Sequence, residues 1–163
     1  MRTIFFLLII LSFAACKKDG DQYNLQPGAF QTNALKASVN SLVLEQAKEN
    51  DTVLVFSWTG ADFGKQPVVS YSLQLGTPAD TANNWATGKI FTIGSNRSTY
   101  AFIGKDLNNL LNGMGLSPGV ANNIAVRIKA DLPQFNSAAS TIASVYSNTL
   151  MQQITTFGLS LYV

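Results

Sequence analysis

From Lys36 onward the chain alternates short apolar-rich runs with clusters of turn-forming residues. Thr52–Trp58 (TVLVFSW) is β-branched and aromatic, the composition that fits a pleated, packed strand. In Val68–Leu75 (VVSYSLQL), Val69, Tyr71, Leu73 and Leu75 alternate with Ser70, Ser72 and Gln74. Side chains on a strand point to opposite faces in turn, so this alternation predicts one buried face and one wet one. Ile124–Ala130 repeats the pattern, with Ile124, Val126 and Ile128 on one side and Arg127 and Lys129 on the other. Val39–Leu44, Lys89–Ile93, Thr99–Ile103, Ile124–Leu132, Ile142–Tyr146 and Thr149–Phe157 read as the other strands. Only Lys105–Leu111 (KDLNNLL) reads as a helical turn. Strands without intervening helices exclude a βαβ architecture, and the chain has no internal repeat. The expected fold is an all-β antiparallel sandwich.

The first residues follow a different pattern. Arg2 precedes an uncharged apolar run, Ile4–Phe13 (IFFLLIILSF), and Ala14-Ala15 leads into Cys16. As a helix, ten residues reach only about 15 Å, half of a bilayer core, which suits a signal segment rather than a membrane span. The junction resembles the lipobox of bacterial lipoproteins, with Phe13 where leucine is usual. That resemblance implies cleavage after residue 15 and lipid on Cys16. Chemistry agrees, since a free thiol is a liability in an oxidising compartment and a thioether is inert. The segment Lys17-Lys18-Asp19-Gly20-Asp21 resembles the export signal that carries lipoproteins to the outer face of the outer membrane; read without it, the same residues are a solvated linker. Residues 16–35 lack a sustained period and contain Pro27-Gly28, so they read as lipidated cysteine and polar tether, with one folded domain over 36–163.

Composition narrows the chemistry. Charged residues make up only 12% of the chain, while Ser, Thr, Asn and Gln are plentiful, a balance suited to an extracellular β-rich domain. Removing the leader takes away one of the 11 basic residues and leaves a near balance with the 9 acidic ones, so nucleic acid is not an expected partner. With no histidine and one cysteine, the chain has no internal disulfide, no usual zinc ligand set and no histidine-based triad. No cofactor is expected. The carboxylates Glu45, Glu49, Asp51, Asp62, Asp80, Asp106 and Asp131 fall in no recognisable glycosidase motif, and an enzyme is not expected.

Phe56-Ser57-Trp58 resembles the core tryptophan strand of immunoglobulin and fibronectin type III domains. Leu116-Ser117-Pro118-Gly119 with the strand from Ile124 resembles their tyrosine-corner region, but Ile124 stands where the tyrosine would be. Leu42-Val43-Leu44, Val55–Gly64, Val69–Leu75 and Tyr146-Ser147-Asn148 together are similar to the N-terminal domain of SusE-type surface lipoproteins of Bacteroidetes. The resemblance spans residues 36–157. It implies a non-catalytic accessory in a starch-utilisation-like system for polysaccharide capture and uptake. Its expected partners are the outer membrane, a starch-like glycan, an outer-membrane transporter and sister lipoproteins. The alternative is a purely structural spacer or protein-interaction module of the uptake complex, because family members usually continue into further domains.

A sugar site needs an aromatic platform flanked by amides or carboxylates. Trp85, with Asn83, Asn84 and Asp80 nearby, has that composition and lies in a loop-like stretch. The competing reading makes Trp85 a plug folded over a sheet edge. Trp58 shares a strand face with Leu54 and Phe56 and is expected in the core, whereas Asp62-Phe63-Gly64 reads as either an exposed aromatic or a turn.

Overall fold

The computed structural model describes residues 25–64, 67–133 and 142–158. The leader, Cys16 and the first part of the expected tether lie outside them. Two sheets form the body. The smaller joins β1 (Leu35–Ala37), β3 (Thr52–Trp58) and β6 (Thr99–Ile103) in the order β1-β3-β6, all antiparallel. The larger contains β2 (Ser41–Val43), β4 (Ser70–Gly76), β5 (Lys89–Ser95), β7 (Ala121–Asp131) and β9 (Leu150–Thr155). Its order is β2-β9-β7-β4-β5, and the short β8 (Val145–Tyr146) continues the β9 side of β7. The chain is thus an all-β sandwich with the sheet partition of an immunoglobulin-like domain. One pair is parallel, β2 on β9.

The inward residues are those that the alternation marked. Leu54, Phe56 and Trp58 from β3 meet Tyr71, Leu73 and Leu75 from β4 and Ile124, Val126 and Ile128 from β7 in a single buried cluster. Edge-to-face rings tie the sheets together. Phe102 of β6 contacts Phe56 of its own sheet at 6.4 Å and reaches Phe91 of β5 in the other sheet at 6.0 Å, with interplanar angles near a right angle. Ile124 is fully buried, so no tyrosine corner forms there. The preceding loop is held instead by the Asn122 amide, which donates to the carbonyls of Ser117 and Val120 at 3.2 and 2.8 Å.

Four local features depart from the sequence reading. The expected first strand Val39–Leu44 is realised only as β2, and an unpredicted strand β1 precedes it, from which the chain crosses to the other sheet. Ser38 allows the crossing by exchanging two hydrogen bonds with Val55, one through its hydroxyl. A short helix α1 (Pro78–Ala82) follows β4, initiated by Pro78 and capped by Asp80. The turn at Lys105–Leu111 is a full helix α2 (Gly104–Gly113), clamped to the end of β9 because the Asn108 amide both donates to and accepts from the Phe157 backbone.

The fourth is the expected tether. From Leu25 on it is docked against the sandwich: Leu25 and Phe30 pack on the core, Ala34 and Leu35 are buried, and Ala29 pairs with Asp62. Gly28 permits this, because a Cβ there would lie 2.2 Å from the buried Phe63 ring. Phe63 is therefore a pin, not an exposed aromatic. Asp62 and Gly64 form the turn beside it, with Asp62 Oδ1 accepting the Gly64 N–H at 2.8 Å.

Candidate functional site

The strand pairing puts Arg127 and Gln74 side by side on the outer face of the larger sheet. Gln74 of β4 lies opposite Arg127 of β7 on one side and Ile90 of β5 on the other. Arg127 Nε–H donates to Gln74 Oε1 at 2.6 Å. Its guanidinium carbon also lies 4.4 Å from the centroid of the Trp85 ring and 4.0 Å from that of Tyr146. The rings arrive from opposite ends of β7. Trp85 comes from the loop after Gly76, which pairs with Ala125, and Tyr146 pairs with Lys129. Arg127 thus occupies the middle of a Trp85–Arg127–Tyr146 stack. Each ring can attract the cation by about 0.5–2 kcal/mol, more as water is excluded. Burial lowers the Arg127 pKa from its ordinary value, and its charge interaction with Tyr146 offsets part of that.

The loop that delivers Trp85 is built around Asp80. Its Oδ2 accepts the Thr77 backbone N–H and hydroxyl at 2.6 and 2.8 Å, and its Oδ1 accepts the Thr87 hydroxyl. These bonds, that from Thr87 foremost, hold the carboxyl below the usual carboxylate range. Asn84 and Trp85 both adopt left-handed backbone, with φ of 51° and 62°. For a tryptophan that conformation costs on the order of 1–3 kcal/mol, so neighbouring contacts must impose it. They include the Trp85 N–H bond to the Asp80 carbonyl at 2.7 Å and the packing of the indole under Arg127.

The four residues predicted for sugar binding therefore separate. Trp85 is 7% exposed and Asp80 6%, and the Asp80 carboxylate already holds three donors from Thr77 and Thr87. Asn83 and Asn84 are exposed on the same loop. The exposed aromatic of the stack is Tyr146, at 43%. Arg127, Gln74 and Tyr146 were absent from the predicted site. Their signal in sequence was only that Arg127 and Gln74 occupy polar positions of alternating strands. Nothing local announces that those strands are neighbours in this register.

Tyr146-Ser147-Asn148 joins this face to the rest of the sandwich. Ser147 Oγ accepts the Ile128 N–H at 2.9 Å. The Asn148 amide accepts the Leu35 N–H at 2.9 Å and donates to the Leu35 carbonyl at 3.2 Å, acting as a strand partner for β1. A family model described as SusE outer membrane protein matches residues 18–129, more than half of the chain. The chain belongs to that family. No curated protein and no solved structure matches it. In this SusE-family domain the match takes in the docked N-terminal segment, both central strands β3 and β4, the Trp85 loop and Arg127. Tyr146 lies beyond the matched residues.

Proposed function

We propose that this SusE-family protein is a lipid-anchored, non-catalytic accessory on the outer face of the outer membrane. It serves a starch-utilisation-like system that captures and imports polysaccharide, alongside an outer-membrane transporter and sister lipoproteins. The family membership over residues 18–129 carries the reading. The Arg2 and Ile4–Phe13 leader, the Ala14-Ala15-Cys16 junction and the Lys17–Asp21 segment supply the anchor and the address. Stable attachment needs two acyl chains or more, at about 0.8 kcal/mol per buried methylene. Cys16→Ala is expected to release the protein from the membrane fraction or stall its processing. Membrane association of the variant that still requires detergent would refute the anchor.

A second reading has its own support. Trp85 and Asp80, the residues with the composition of a sugar platform, are engaged in holding their own loop. On that reading the sandwich is a spacer or a docking module for the uptake complex. Affinity electrophoresis of the full chain in gels containing different polysaccharides separates the two. Retardation by any of them supports capture, and mobility unchanged by all of them supports the spacer.

A further inference from the structure

The guanidinium of Arg127 is held and only partly used. Among the described residues its single hydrogen bond is Nε–H to Gln74, and no carboxylate pairs with it. The ion pairs there are Lys48 with Glu45 and Lys129 with Asp131, so the cation beside Arg127 on the outer face of β7 is already matched. Two rings restrain the guanidinium through its π surface, and Gln74 restrains it at Nε. What remains is the terminal edge, the fork that binds a carboxylate through two parallel N–H···O bonds. Arginine loses much side-chain freedom when it binds, and here the rings and Gln74 have already removed it.

We propose that Arg127 is the anchor of a carboxylate-binding site for acidic polysaccharide, taking the carboxylate of a uronic acid residue. The inference rests on the glycan-capture reading above and names the substrate class. Tyr146 stands beside the fork with nearly half of its surface free, a wall for the apolar face of a pyranose. Around the exposed, apolar Ile90, the polar side chains of β4 and β5 open to solvent on this face are Ser72 and Thr92, with exposed Asn83 and Asn84 on the Trp85 loop. These are uncharged groups that can bond hydroxyls. A neutral glucan would leave the half-buried cation unmatched; a uronate supplies the missing counter-charge at the terminal edge of the guanidinium.

The test titrates the full chain in detergent with a galacturonate trimer, its methyl ester, maltotriose and a hexaglutamate peptide. The acid trimer is expected to bind, more weakly as salt rises, and at least about tenfold more tightly than the ester or maltotriose. Arg127→Lys keeps the charge and loses the fork, and should weaken trimer binding about tenfold. Gln74→Glu gives Arg127 an internal carboxylate and should compete with the trimer to a similar degree while the melting temperature holds or rises. It keeps the test sound if Arg127→Lys folds poorly. Equal binding of trimer and ester, or trimer binding unaffected by Gln74→Glu, overturns the site. Tighter binding of hexaglutamate than of the trimer also overturns it, in favour of a protein contact. Binding of maltotriose alone overturns the uronate site yet leaves glycan capture standing. No binding to any of the three sugars overturns the site, and the polysaccharide gels then decide whether capture itself fails.

Discussion

Trp58 and Trp85 are equally hidden, 5% and 7% exposed, by different means. Trp58 ends β3 on its inner face, touches Tyr71 at a centroid distance of 5.7 Å, and is enclosed by apolar side chains of both sheets. Its Nε1–H has no hydrogen-bond partner among the described residues. Trp85 lies on the outside of the larger sheet, and a guanidinium forms part of its cover. Accessible area does not separate the two; the material around each ring does. One indole is part of the hydrophobic effect that makes the sandwich, and its unpaired N–H is a cost the packing offsets. The other positions an arginine on a finished surface.

Replacing each ring is the most direct way to break this contrast. Trp58→Ala should destabilise the domain by about 3–5 kcal/mol, a large part of the stability of a single domain. Trp85→Ala should cost about 2 kcal/mol, because the sheet beneath stays packed and the strained left-handed backbone can relax. Denaturant titration of both variants checks the order, and equal losses would show that Trp85 is a core residue in all but position. Its loss should also free Arg127, so that any acidic-glycan binding weakens along with stability.

A smaller effect tests what connects the two regions. Asn148→Ala leaves the backbone of buried Leu35 without its amide partner and should cost about 1–2 kcal/mol. Proteolysis near residues 25–35 should quicken in that variant, and an unchanged rate would mean that β1 is held by β3 alone. The smallest effect is one of pH. The folded-state pKa of Asp80 is lowered, so its contribution is complete above the unfolded value near 3.8 and fades as pH falls through the lower folded value. Asp80→Asn should flatten that acid limb of the stability curve, and a curve of unchanged shape would show that the Trp85 loop does not depend on the ionised carboxylate.

Pattern alone determined a good deal here. The alternation in Val69–Leu75 and Ile124–Ala130, and the β-branched run Thr52–Trp58, were enough to predict the sandwich and its inner face, because a period of two can satisfy only one buried side of a sheet. The order of the quoted segments pointed to the family that residues 18–129 match. Short elements were less legible. Residues 25–35 carry turn residues and no period, yet they dock because Gly28 lets the Phe63 ring lie against the backbone, a long-range fit that no local pattern records. Helix α1 was hidden by its length, five residues, although its Thr77–Asp80 capping box is local. The candidate site was settled by tertiary structure alone. Trp85, Arg127 and Tyr146 come from three separate stretches of chain, and only the registers of β4 and β8 on β7 bring them within about 4 Å of one cation. A sequence can say which residues face outward from a strand. Which strand lies beside it, and in what register, depends on the closure of the whole sandwich.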